Sequence, residues 1–82
     1  MEKRLGFVGI IIEDRNSAAP LVNKILSEYG DGVVARVGLP YKERKCQVIT
    51  LTVDMSTDVL GALTGKLGAI EGVMVKSALA KS

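Results

Sequence analysis

The stretch that decides the fold is Leu5-Gly6-Phe7-Val8-Gly9-Ile10-Ile11-Ile12, a run of apolar residues and glycines without a charged side chain. The run does not alternate between apolar and polar residues, so it predicts a strand that is buried on both faces. With its flanks, this first strand is predicted over Lys3–Asp14. An apolar face on the side away from the helices would indicate that a partner covers it.

Working outward from this strand, two strand–helix–strand units follow one another. Helical spacing of apolar residues predicts a helix over Ser17–Tyr29, and the next apolar stretch predicts a strand over Gly32–Leu39. The second unit repeats this order, with elements predicted over Cys46–Asp54, Thr57–Ile70 and Val73–Ala80. The order βαββαβ predicts an α+β, ferredoxin-like sandwich, in which two helices pack on one face of a four-stranded antiparallel sheet.

The composition indicates one globular domain over residues 1–82, because 48% of the residues are hydrophobic and can form a core. The formal net charge of +2 is too small to indicate a dedicated nucleic-acid-binding domain. The first apolar run is too short to cross a bilayer, and no signal-peptide cleavage site follows it. Since the chain has a single cysteine and so no intrachain disulfide, we expect a cytoplasmic protein without membrane contact.

Residue types at the helix ends predict how the helices begin. Asn16 or Ser17 is predicted to cap the first helix, which would place Pro20 in its first turn. Ser56 or Thr57 is predicted to cap the second helix.

Three glycines lie along one side of the second helix, at positions 61, 65 and 68. A glycine inside a helix costs about 1 kcal/mol relative to alanine, which the close approach of a neighbour would offset. The neighbour is either the sheet or the first helix, or else another subunit.

The face of the sheet without helices is predicted to be mixed. Strand alternation places Val34 and Arg36 of the second strand on this face, together with Thr50, Lys76 and a methionine. Such a composition suits a protein–protein interface, which is less apolar than a core. We therefore predict a homo-oligomer, a dimer or tetramer, that associates through the open sheet face.

A candidate ligand site lies at the turn between the first strand and the first helix. Asp14, Asn16 and Ser17 could bind a polar ligand at the helix N-terminus, with Arg36 reaching the ligand from the sheet face. The carboxylates of Glu13 and Asp14 would repel a phosphate, so a metal or an amino compound fits this turn better. The alternative is that these polar residues only cap the helix.

The hairpin between the two units carries cations beside Tyr41. Lys42, Arg44 and Lys45 could contact an acidic partner or, with Lys76, nucleic acid, unless the loop is only solvated. The third strand lacks the aromatic residues on which RNA-recognition sheets stack bases, which excludes that class. The cations leave nucleic-acid binding by a transcriptional regulator as an alternative function. This chain is not expected to bind nucleic acid alone.

Cys46 opens the third predicted strand. The chain has no histidine, so one copy of Cys46 cannot form an ordinary structural zinc site. Cys46 is either a small half-buried residue, a thiol made reactive by Arg44 and Lys45, or a metal or redox sensor when several copies meet.

Catalytic motifs are missing from the sequence, so we predict a non-enzymatic protein without a cofactor. The segment Gly61-Ala62-Leu63-Thr64-Gly65-Lys66 contains part of a phosphate-binding loop. It lacks the required spacing and lies inside a predicted helix.

The element order, with Cys46 opening the third strand, resembles the ACT-like C-terminal regulatory domain of the nickel-responsive repressor. That family's histidine ligands fall where this chain reads Arg36-Val37-Gly38-Leu39-Pro40, so its nickel site does not carry over. The repressor's ribbon-helix-helix domain has no counterpart in these residues. The resemblance implies an ACT-like regulatory domain.

The chain as a whole resembles the family of iron-only hydrogenase system regulators. The resemblance rests on Lys3-Arg4-Leu5-Gly6-Phe7-Val8-Gly9-Ile10, on the turn Glu13-Asp14-Arg15 and on the glycines after each helix. It implies a non-enzymatic regulatory module, linked to a hydrogenase system, that binds a small ligand or a partner protein.

Overall fold

A computed structural model of the chain describes residues 2–13 and 15–81. The strands are β1 (Arg4–Ile12), β2 (Val33–Tyr41), β3 (Cys46–Met55) and β4 (Val73–Leu79). The helices are α1 (Arg15–Glu28) and α2 (Thr57–Gly68), and short 3₁₀ turns cover Gly30–Gly32 and Lys42–Arg44. The predicted order of elements is confirmed, and every helix and strand end lies within two residues of its predicted position.

The four strands form one antiparallel sheet in the order β2-β3-β1-β4. The run that decides the fold, β1, lies in the interior of this sheet and pairs with β3 on one side and β4 on the other. Both edges of the sheet are therefore strands that follow a helix. This is the predicted ferredoxin-like arrangement.

The core lies between the helices and one face of the sheet. Alternate residues of β1 and β3 point toward the helices and are buried, as period-two alternation requires. From α2, the residues Leu60, Leu63 and Leu67 complete this layer at helical spacing. The buried strand residues are Val8, Ile10, Ile12, Ile49, Leu51, Val53 and Met55.

The helix ends differ in how well the sequence predicted them. Ser56 caps α2, since its hydroxyl accepts a hydrogen bond from the Val59 backbone N–H at 3.2 Å. Helix α1 begins at residue 15, so Asn16 and Ser17 lie in its first turn and the prediction that one of them caps it is wrong. Pro20 consequently lies in the second turn, where it cannot donate the helical hydrogen bond to the carbonyl of Asn16.

The two helices meet at Lys66 of α2 and Tyr29, which follows the last residue of α1. The Lys66 ammonium lies 5.2 Å from the centre of the Tyr29 ring and 3.9 Å from a carboxylate oxygen of Glu28. Hydrogen bonding to the Tyr29 side chain raises the pKa of Lys66 above its ordinary value, and the Glu28 carboxylate adds a smaller increase. Since the folded chain holds this proton more tightly, the stabilisation is present at neutral pH and is lost as the pH rises through the folded pKa.

An NMR titration of the Lys66 ammonium should therefore give a pKa above that of an isolated lysine side chain, about 10.4. Tyr29→Phe should lower the pKa of Lys66 toward that reference, because it removes the hydroxyl and keeps the ring. The Lys66 titration in Glu28→Gln serves as the comparison, because that variant removes only the smaller cause. An unchanged Lys66 pKa in Tyr29→Phe would contradict the assigned cause.

Candidate functional site on the open face of the sheet

A β-bulge near the start of β2 reverses the direction of the side chains that follow it. Val33 pairs with Val53 and Ala35 pairs with the adjacent Thr52, so Val34 is an extra residue without a partner in the ladder. Because side chains alternate with a period of two, one extra residue moves every later side chain to the other face. The apolar set of β2 thus lies on the open face instead of on the helix side, at Ala35, Val37, Leu39 and Tyr41.

Arg36 consequently lies on the helix side of β2, and the prediction that it lies on the open face is wrong. It occupies the ladder position opposite Leu51, which is a buried core residue. Its guanidinium donates a hydrogen bond to Oδ1 of Asn23 on the exposed side of α1. The bulge at Val34 is the physical reason for this difference.

The predicted ligand residues do not form one cluster. Asn16 and Ser17 are exposed in the first turn of α1, and Asp14 lies outside the described residues. Arg36 contacts Asn23, which follows Asn16 by seven residues and so lies about 10 Å further along the helix. Ligand binding by Asp14, Asn16 and Ser17 remains a prediction, without Arg36 beside them.

The open face is more apolar than the sequence predicted. Of the nine large apolar side chains exposed in the described part of the chain, six lie on this face, namely Leu5, Phe7, Val37, Leu39, Tyr41 and Met74. With roughly 100 Å² from each half-exposed large side chain, they present on the order of 600 Å². That is at the upper end of the apolar patches that monomeric proteins expose, so this face is a candidate interface.

An apolar row crosses the whole open face from one sheet edge to the other. Leu39 of β2 lies opposite Val48 of β3, which lies opposite Ile11 of β1, which in turn lies opposite Met74 of β4. Thr50 lies in the next row on the open face, as predicted, and its neighbour on β2 is Val37.

Charged side chains lie at the margins of this face. Lys76 lies on the edge strand β4, and Asp54 lies near the end of β3 beside Leu5. An apolar centre with charges at the rim is the usual arrangement of a protein–protein interface.

A shallow groove lies where the open face meets the β2–β3 hairpin. It encloses about 850 Å³, within the range of small-ligand sites. Its floor is apolar, and two acidic and two basic side chains line its rim. The Tyr41 hydroxyl on one side donates a long hydrogen bond of 3.4 Å to a carboxylate oxygen of Glu43. The groove is lined by Ile11, Glu13, Tyr41, Glu43, Arg44, Lys45, Cys46, Val48 and Met74.

The cations proposed for nucleic-acid binding do not form one patch. Lys42, Arg44 and Lys45 lie in the hairpin beside the edge strand β2. Lys76 lies on β4, which is the opposite edge of the sheet. The sequence analysis grouped these four residues by their charge alone, and the strand order places them at opposite edges of the sheet.

Cys46 begins β3 as predicted and is half-buried. It pairs across the ladder with Tyr41 at the groove end of the open face. In residues 2–13 and 15–81, there is no group of three or more cysteine, aspartate or glutamate side chains that could hold a metal ion. A sensor role for Cys46 would need further copies of the chain, as the sequence already indicated.

The glycines of α2 have two different environments. A Cβ added at Gly68 would lie 3.6 Å from Cγ1 of Val75 on β4, so packing against the sheet is confirmed there. A Cβ added at Gly61 or Gly65 would meet no atom within 4 Å, so packing within the chain is the wrong explanation for these two. Their side of the helix faces solvent in a single copy.

Comparison with known proteins identifies the family. The family model "TM1266-like: Iron-only hydrogenase system regulator, putative" matches residues 4–77. The chain belongs to this TM1266-like family. The predicted resemblance to iron-only hydrogenase system regulators is thereby confirmed at the level of the family.

A solved structure of a TM1266-like protein covers almost the whole chain. The structure of TM1266 from Thermotoga maritima shares 40% sequence identity with this chain and superimposes with a TM-score of 0.94. The match covers 98% of this chain and 100% of that one, so the ferredoxin-like fold is shared along the length of both. None of the curated proteins compared with the chain matched it.

The apolar character of the open face was only partly visible in the sequence. The doubly apolar β1 indicated a covered open face, whereas the contribution of β2 was missed. Val33-Val34 gives no signal of a bulge, since valine is typical of both regular and bulged strand positions.

Neither helix of the described part is long and apolar enough to cross a membrane.

Proposed function

We propose that this chain is a non-enzymatic regulatory module of the iron-only hydrogenase system. In this proposal it self-associates through the open face of its sheet and binds a small ligand or a partner protein. The family match supports the link to the hydrogenase system. The single observation that carries the self-association is the apolar row from Leu39 to Met74, flanked by Phe7 and Val37.

A second copy of the chain is the occupant that fits the open face best. A stable interface buries about 800 Å² on each partner, and the six apolar side chains alone supply much of that area. Two such sheets can pack face to face about 10 Å apart, with their side chains interdigitated. The threonines in the centre of the face, Thr50 and Thr52, are small enough for that approach.

The groove at the hairpin gives this assembly a place for regulation. Its floor residues, Ile11, Val48 and Met74, belong to the same apolar row that forms the proposed interface. A ligand in the groove would therefore contact the hairpin and occupy part of the surface that the second copy covers. Such a ligand can shift the equilibrium between copies by the difference in its affinity for the two states.

Leu39→Asp should convert the assembled protein to a smaller species in size-exclusion chromatography with light scattering. A carboxylate at the β2 end of the apolar row would lose its hydration in the interface without gaining a partner. Leu21→Asp is the matched control, because Leu21 is 51% exposed and Leu39 is 52% exposed, but Leu21 lies on α1 at the other side of the molecule. A wild-type monomer at micromolar concentration, or an equal response of both variants, would contradict the proposal.

A further inference from the structure

The outer edge of β4 has free backbone groups at regular positions. The Ala80 N–H donates to the Leu5 carbonyl at 2.8 Å, and the Gly72 carbonyl accepts from the Glu13 N–H at 2.8 Å. In an antiparallel ladder, both backbone groups of a residue point to the same side, and this side alternates along the strand. The backbone N–H and C=O groups of the even-numbered residues of β4 therefore point to β1. The backbone groups of Val75, Ser77 and Leu79 point away from the sheet, to its free edge.

The two edges of the sheet differ in their protection against pairing with another strand. Edge strand β2 contains the bulge at Val34 and also Pro40, and both are features that prevent edge strands from pairing. Edge strand β4 has neither feature, because its register with β1 is unbroken from Leu79 to Val73. The β4 edge is thus the one that can accept a further strand.

We propose that β4 pairs antiparallel with β4 of a second copy about a two-fold axis at Ser77. In this register, Ser77 of one copy lies opposite Ser77 of the other copy, and Val75 of each copy lies opposite Leu79 of the other. Each of these residues then donates one backbone hydrogen bond to the other copy and accepts another from it. A register centred on Lys76 would instead place two ammonium groups side by side, which is unfavourable. The Ser77 register puts Lys76 opposite Ala78.

The exposed Gly61 of α2 lies on the side of the helix that this second copy would approach. At 100° per residue, Gly61 and Gly68 share one side of α2, and Lys66 lies on the opposite side. Lys66 contacts Tyr29 and thereby marks the side that faces α1. A Cβ added at Gly68 would lie 3.6 Å from Cγ1 of Val75 on β4, which marks the other side as the one above the free sheet edge.

The spacing of a continuous eight-stranded sheet explains why glycine is suitable there. Strands lie about 4.8 Å apart, and two helices cover four strands, so each helix occupies about 10 Å of sheet width. The α2 helices of the two copies would then also lie about 10 Å apart, close to the 8–10 Å at which helices pack. A small residue at Gly61 permits this contact, whereas a long side chain there would separate the helices.

This interface is independent of the open face, since it uses the sheet edge and the helix layer. The two interfaces together would produce a dimer of dimers, and each can fail without the other. Variants of Leu39 report on the open face, and variants of Ser77 and Gly61 report on the β4 edge.

A crosslinking experiment tests the register directly. In a Cys46→Ser background, Ser77→Cys should give a covalent dimer with a short bis-maleimide reagent. Ala62→Cys in the same background is the matched control, because Ala62 is exposed on the α1 side of α2 and would lie far from its copy. Crosslinking of Ser77→Cys that is no better than that of Ala62→Cys overturns the proposal.

A second variant tests the helix contact without damaging the fold. Gly61→Gln should halve the mass in light scattering, while its melting temperature in dilute solution stays the same or rises, since glutamine favours helices over glycine. Ala62→Gln should leave the mass unchanged. An unchanged mass in Gly61→Gln, or growth of the wild type into open-ended filaments, overturns the two-fold pairing.

Discussion

Replacing Gly6 with alanine should lower the free energy of unfolding by about 1–3 kcal/mol, the usual cost of forcing an extra group into a packed site. A Cβ at position 6 would overlap the carbonyl oxygen of Ala78 and lie 2.5 Å from Cδ2 of Leu79. The Ala78 oxygen belongs to the backbone, so it cannot rotate away as a side chain can. The end of β4 is further held by the bond from the Ala80 N–H to Leu5. Equilibrium unfolding in urea measures the loss.

Gly9→Ala is the matched control for this prediction, since Gly9 lies on the same strand. The nearest atom to a Cβ at position 9 is the Lys76 carbonyl oxygen, at 4.0 Å, so alanine fits without movement. A strand glycine costs roughly 0.5–1 kcal/mol relative to alanine, so Gly9→Ala should be neutral or slightly stabilising. Equal losses in both variants would show that the close approach of β4 to Gly6 is not the cause.

The element order could be predicted because each element carries its own local signal. The unbroken apolar run of β1 and the clear alternation in β3 have periods that distinguish strands from helices. Ser56 provides the cap of α2 with its own side chain, so this helix start was also visible. The cap of α1 was predicted wrongly because Asn16 and Ser17 both favour caps, and residue type alone does not fix the position at which a helix begins.

The site was harder to predict, because it depends on which face each strand shows. In β2, the apolar residues at alternate positions were assigned to the core, which is the ordinary meaning of that pattern. The bulge at Val34 directs Val37 and Leu39 to the open face and Arg36 toward α1. One inserted backbone residue thus changed the predicted face from mixed to apolar, and no single-residue propensity reports it.

The strongest effect on folding is expected from Leu51→Asp. Leu51 has no exposed surface and lies in the centre of β3 on the helix side. An ionised carboxylate there would have no partner, and burying such a group costs several kcal/mol. A domain of 82 residues has a total stability of about 4–12 kcal/mol. Leu51→Asp should therefore be largely unfolded by circular dichroism at neutral pH.

Thr50→Asp provides the contrast, because Thr50 is the adjacent residue on the same strand and is exposed on the open face. Its carboxylate stays hydrated in a single copy, so the free energy of unfolding of the monomer should change by only about 0.5 kcal/mol. In the proposed face-to-face assembly, the same carboxylate would be buried, and the mass measured by light scattering should fall. If Thr50→Asp folds and its mass is unchanged, association through the open face is refuted. The described fold of a single copy would not be affected by that result.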